Sequence, residues 1–89
     1  MAEEVRRDAD ENRFEMWVDG QLAGFADYRD HEGVRAFTHT VIEPAYGGRG
    51  LASRLIGVAL EETREAGLTV LAICPFVKDY LAREGSHGQ

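Results

Sequence analysis

The sequence has a single cysteine, Cys74, in 89 residues. No disulfide can therefore form within the chain, and a structural zinc site built on cysteines is excluded as well. One lone thiol fits a reducing, cytoplasmic setting. Basic residues are few against acidic ones, ten to sixteen, for a net charge of −6. That balance argues against nucleic acid as a partner, because binding to phosphate backbones rests on clustered Lys and Arg. No apolar run approaches the roughly 18–20 residues of a membrane span, so no membrane partner is expected. The first twenty residues carry charges throughout, and no signal peptide is expected among them. The three histidines, His31, His39 and His87, show no metal-ligand spacing, and no metal is expected. Prolines number two, Pro44 and Pro75. An apolar run ends at Pro44, and Pro75 stands where a second helix can begin.

What remains is ordinary globular composition, 44% apolar, in a length that suits one domain with a small core. Residues 1–11 are mostly charged and read as a flexible segment. From residue 13 the pattern changes. Phe14, Met16 and Val18 alternate with Glu15, Trp17 and Asp19, a period of two that marks a strand. Asp19-Gly20 is a tight-turn signal, since glycine takes the positive φ such turns need. A second strand is expected over residues 22–28 and a turn over 29–33. A third strand is expected over 34–42. Short connections between them predict an antiparallel meander.

Ala52, Leu55, Ile56, Ala59 and Leu60 then fall at i, i+3, i+4, i+7 and i+8, the apolar face of a helix. Gly67 is placed to end it. Residues 69–74, TVLAIC, form a continuous apolar run. They are expected as a strand buried on both faces and parallel to the third. Pro75 can open a second helix. The predicted order is β-β-β-α-β-α, an α/β (α+β) domain over residues 12–83 with a loose tail at 84–89.

Between the third strand and the first helix lies VIEPAYGGRGLA, with Gly47, Gly48 and Gly50 directly before the helix. A helix start exposes unpaired N–H groups and a partial positive charge. Glycines ahead of it allow a ligand's phosphates close to the backbone. The same glycines would also serve a tight turn with no ligand. There is no Gly-Lys-Ser/Thr, so this is not a Walker loop. Ser53 stands where a Rossmann fingerprint needs a third glycine.

Residues Val41, Pro44, Tyr46, Gly48, Arg49, Gly50, Leu51 and Ala52 together resemble the signature of the GNAT superfamily of acyl-CoA-dependent N-acetyltransferases. Its core pattern is Arg/Gln-x-x-Gly-x-Gly/Ala. Gly50 and Ala52 match its last two fixed positions, and Gly47 stands where the family usually has Arg or Gln. Cys74-Pro75-Phe76 is similar to an element carried by a compact branch of the superfamily. The resemblance covers about residues 13–83 and implies a minimal GNAT-like fold with acetyl-CoA as cofactor. It implies that backbone N–H groups of Gly47, Gly48, Arg49, Gly50, Leu51 and Ala52 meet the pyrophosphate. It further implies that the pantetheine arm enters a gap between residues 40–43 and 72–74, with main-chain groups near Val41 and Glu43 holding it.

Three side chains are candidates for chemistry. Cys74, at a helix start, can act as a nucleophile if its thiolate is stabilised, or can be a small buried hydrophobe. His39 suits a general base or a packed histidine, and is expected on the face of Phe37 and Val41. Glu43 competes with it as a base. Tyr80 lies six residues after Cys74. The resemblance implies that it protonates the departing thiolate, while helical spacing alone would make it core. The acceptor is expected to be an amine, on a small molecule or a protein. A non-catalytic acyl-CoA-binding module on the same fold is the alternative.

Overall fold

A computed structural model describes residues 2–87. The elements in chain order are β1 (Glu3–Asp8), β2 (Arg13–Val18), β3 (Gln21–His31), β4 (Val34–Ile42), a 3-10 turn (Pro44–Tyr46), α1 (Leu51–Glu65), β5 (Thr69–Ala72) and α2 (Pro75–His87). The strands form one five-stranded sheet in the order β1-β2-β3-β4-β5. β1 to β4 are antiparallel neighbours, and β5 joins β4 in parallel. The expected meander, helix, parallel strand and second helix are all present.

Three expectations need correction. The charged segment 1–11 is not loose, because residues 3–8 pair with β2 along their whole length. β1 is an edge strand, where charge costs little and discourages pairing with other chains. Of the tail expected at 84–89, residues 84–87 continue α2, and 88–89 lie outside the described residues. β5 is not buried on both faces. It is the opposite edge, and Leu71 and Ile73 are 50% and 51% exposed on the face that no helix covers.

Local chemistry explains the turns. Asp19-Gly20 and Glu32-Gly33 each take two successive positive φ values, 49° and 81°, then 49° and 80°. That is the twist a two-residue hairpin requires. α1 ends in a Schellman arrangement: Gly67 N–H donates to Arg64 O at 3.0 Å and Leu68 N–H to Thr63 O at 3.1 Å.

Both helices pack on one side of the sheet. Leu51, Leu55, Ile56, Ala59 and Leu60 of α1 and Val77 of α2 are buried there with Phe14, Met16, Ala26, Tyr28 and Phe37. Phe14, Tyr28 and Phe37 form an aromatic cluster with centroids 5.4–6.3 Å apart. Arg35, 5% exposed, lays its guanidinium 4.2 Å from the Tyr28 ring and bonds both oxygens of Asp30 at 2.8 Å. Burial of this cation is tolerated because it is paired and stacked. The opposite face carries a ladder of its own side chains over β1 and β2. Arg6 sits 4.7 Å over Trp17, whose indole N–H donates to Glu15 at 3.0 Å.

Candidate functional site

Two features bring β4, α1 and α2 to one place. The first is an irregularity in the β3–β4 ladder: Asp27 pairs with His39 and Tyr28 with Phe37, so Thr38 is an extra residue. Without it, alternation would put His39 on the core side with Phe37. With it, His39 turns to the helix-free face and Thr40 to the helix side. His39 is exposed and lines a wide recess of about 640 Å³ with Glu11, Arg13, Phe25, Asp27 and Arg29. The expected sharing of a face by His39 and Phe37 is therefore corrected. Phe37 is fully buried, and His39 shares its face with Val41, which is 42% exposed.

The second feature is a splay between β4 and β5. Their pairing runs from Val34 with Thr69 to Phe37 with Ala72 and stops. Ile73 N–H and Cys74 N–H then both donate to Phe37 O, at 3.0 and 2.9 Å, and the chain turns into α2. Residues 38–42 of β4 continue with no strand on that side. Glu43 N–H is taken by Ala23 O at 2.8 Å, and the Val41 carbonyl lies against Gly24. Both therefore face β3. Since strand residues alternate, the main-chain groups facing the gap are those of Thr40 and Ile42, rather than those of Val41 and Glu43.

Cys74 lies at this gap, 6% exposed. Its Sγ is 3.5 Å from Thr40 Oγ1. Burial pushes the thiol up. Hydrogen bonds from Thr40 Oγ1, from the backbone N–H groups of Val77 and Phe76, and from that of Thr40 outweigh it, and the thiol is held below the usual cysteine range. Helix start and strand edge thus converge on one sulfur, the kind of surrounding that makes a thiolate. The resemblance sets Thr40 at the edge of the gap but gives its hydroxyl no role, and the bulge that aims it leaves no pattern in the sequence.

The glycine loop lies next door. Gly48 and Gly50 have φ of 77° and 73°, and a Cβ at either would meet nothing within 4 Å. They are glycines for backbone conformation, and they leave the outer side of the loop clear. Gly47, at φ −66°, needs no such freedom. Gly50 is the N-cap of α1, no side chain caps it, and the first turn has no acidic residue. The first intrahelical bond is Arg54 N–H to Gly50 O at 3.2 Å, so the N–H groups of Leu51, Ala52 and Ser53 point out of the helix end. The loop encloses a recess of about 240 Å³ lined by Ile42, Tyr46, residues 47–53 and Phe76. Tyr46 is fixed by its hydroxyl on Gln21 at 2.9 Å, and Arg49 lies 5.6 Å over its ring. Ile42 and Phe76 join this recess to the gap that holds Cys74.

Tyr80 is placed elsewhere on α2. Its hydroxyl rests against α1 at Gly57, where a Cβ would come within 2.9 Å of it. The structure thus brings Cys74 to Thr40 and the loop, sets His39 on the other face of the sheet, and seats Tyr80 in the crevice between the helices. Glu43 lies at the start of the 3-10 turn. Among the described residues no group of three or more His, Cys, Asp or Glu is arranged to hold a metal ion. Among the described residues, too, no helix is long and apolar enough to cross a membrane.

Comparison with known proteins places this arrangement. A GCN5-like protein of Staphylococcus aureus, solved in solution, matches with a TM-score of 0.71 at 26% identity, over 96% of this chain and 83% of that one. The PaiA N-acetyltransferase of Thermoplasma acidophilum, solved in complex with coenzyme A, matches with a TM-score of 0.58 at 16% identity, over 63% of this chain. A GNAT-family protein of Novosphingobium aromaticivorans matches with a TM-score of 0.58 at 27% identity, over 67% of this chain. The chain spans about a third of the length of these last two, 35% and 28%. No curated protein matches it significantly. The family model described as GCN5-related N-acetyl-transferase matches residues 13–89, which takes in the meander, the glycine loop, the gap and both helices. By that match the chain belongs to the GCN5-related N-acetyltransferase family.

Proposed function

We propose that this protein binds acetyl-CoA at the glycine loop and transfers the acetyl group to an amine. One observation carries the reading: an uncapped helix start with a cleared outer surface opens directly onto a gap that holds a hydrogen-bonded thiol. The residues fit the cofactor. The N–H groups of Leu51, Ala52 and Ser53, with Arg49 beside them, would take the diphosphate. Main-chain groups of Thr40 and Ile42 at the free edge of β4 would hold the amide arm. Acetyl-CoA supplies an activated thioester.

Cys74 Sγ, as a thiolate, would accept the acetyl group and pass it to the amine. In direct transfer, the N–H groups around Cys74 would instead stabilise the developing oxyanion. His39 would take the proton of an amine arriving from the helix-free face. Tyr80, expected as the donor to the departing thiolate, rests against Gly57 in the crevice between the helices, so it is given no part in the transfer.

A second reading, an acyl-CoA-binding module without turnover, is favoured by one specific observation. His39, Cys74 and Tyr80 stand in three different surroundings.

Calorimetric titration of acetyl-CoA into the wild type and Gly50→Glu tests the loop. Glutamate there puts negative charge on the phosphate side. Its backbone strain costs about 1 kcal/mol. Binding by the wild type and at least tenfold weaker binding by the variant is the expected result. A folded wild type that binds nothing at millimolar ligand refutes the cofactor reading. Mass spectrometry after incubation with acetyl-CoA then separates the readings: acetyl on Cys74 or on an added amine supports transfer, and neither supports the module.

A further inference from the structure

The glycine-loop recess does not end at the loop. Ser53, which lines it, also lines a second recess of about 320 Å³ with Tyr80, Arg83 and Glu84. The crevice therefore runs from the start of α1 along α2. Phe76, Tyr80, Arg83 and Glu84 are spaced i, i+4, i+7 and i+8, one face of α2. A helical side chain leans back toward its own N-terminus, which carries the long arm of Arg83 toward Ser53. The charges along this crevice are unevenly matched. Arg54 is paired with Glu3 at 3.0 Å and Arg64 with Glu84 at 2.9 Å. Glu84 is thus already engaged, while Arg83 has no ion pair among the described residues. A guanidinium left uncommitted beside a phosphate loop is suited to a second phosphate.

We propose that Arg83 holds the 3′-phosphate of coenzyme A, with the Ser53–Tyr80 recess as the seat of the adenosine end. The inference rests on acetyl-CoA binding at the glycine loop. A phosphate monoester near neutral pH carries close to two negative charges, so it is the part of the cofactor that gains most from an uncommitted guanidinium. Arg83 then lets the protein tell coenzyme A from its 3′-dephospho form, a distinction that the loop N–H groups alone cannot make.

The test is a two-by-two set of affinities: acetyl-CoA and 3′-dephospho-acetyl-CoA against the wild type and Arg83→Gln, with Arg83→Lys as the conservative variant. Arg83 is exposed and packs no core, so circular dichroism should show all three folded. The wild type is expected to prefer acetyl-CoA about tenfold, the size of one charge-assisted phosphate contact. Arg83→Gln should lose that preference by weakening acetyl-CoA alone, and Arg83→Lys should retain part of it. Equal binding of both ligands by the wild type overturns the proposal, as does a preference that survives in Arg83→Gln. Either result leaves the loop reading standing. A wild type that binds neither ligand overturns both.

Discussion

Replacing Thr40 with valine removes one hydroxyl and keeps the side chain's shape. In the folded protein that hydroxyl is 3.5 Å from Cys74 Sγ, one of four groups that hydrogen-bond the sulfur. A hydrogen bond to a charged group contributes about 1.5–3 kcal/mol. Sulfur is a soft, large acceptor and the contact is long, so about 1 kcal/mol is the reasonable share here. At 1.36 kcal/mol per tenfold, that lowers the thiolate-to-thiol ratio about fivefold at any fixed pH below the titration midpoint. The midpoint should therefore move up. It should not reach that of a thiol buried among apolar groups, because the N–H groups of Phe76, Val77 and Thr40 remain. The assay is the ultraviolet absorbance of the thiolate followed against pH. It needs no reagent to reach a sulfur that is 6% exposed. Cys74 is the only cysteine, so the signal has one source. Thr40→Ser keeps a hydroxyl and should restore most of the wild-type curve. A folded Thr40→Val whose curve overlays the wild type refutes the assignment and leaves the backbone N–H groups of Phe76, Val77 and Thr40 in control of the thiol.

Other perturbations reach the frame around the site. At Gly24, paired with Ile42, a Cβ would collide with the Val41 carbonyl oxygen and the Ile42 side chain. Gly24→Ala should cost about 2–3 kcal/mol through forced backbone movement, read as a fall of roughly 10–20 °C in Tm. An unchanged Tm would show that the β3–β4 contact gives way easily. Hydrogen bonding from Arg35 holds the Asp30 carboxyl below the usual carboxylate range against the opposing effect of burial. Its folded pKa is depressed, so its stabilisation is complete above the unfolded value and is lost as pH falls through the folded one. Denaturant unfolding of Asp30→Asn should show a loss of about 1 kcal/mol at neutral pH that shrinks below about pH 4. The loss is small because the Asp30 side chain is 43% exposed and solvent screens the pair. A loss that stays constant down to acid pH would mean the ion pair is not its source.

Much of this architecture is written in local patterns. The period-two run at Phe14, Met16 and Val18, the Asp-Gly turn and the helical spacing from Ala52 to Leu60 each report a structure that short-range chemistry fixes. The sheet edges are less legible. β1 carries one apolar residue toward the core, Val5, among charges suited to an edge, so its alternation has little contrast. β5 reads as buried because Leu71 and Ile73 are apolar, and only its place at the sheet's end leaves them exposed. Two of the site's determinants are invisible for another reason. The extra residue at Thr38 is a property of pairing between strands, and no single strand's sequence states it. Thr40 and His39 trade faces because of that residue. The crevice carrying Arg83 depends on how two helices lie together, which neither helix encodes alone.

Strand order follows chain order across the whole sheet. Three successive hairpins can therefore close through short loops, each at little entropic cost, before anything distant is needed. The exception is the crossover through α1, which brings β5 beside β4. The contact between Cys74 and Thr40 spans 34 residues and belongs to that last step. The expected sequence of events is a meander first and a thiol nest last, so the cofactor gap exists only in chains that have completed folding. A nascent chain released before α2 would hold most of the sheet and none of the chemistry.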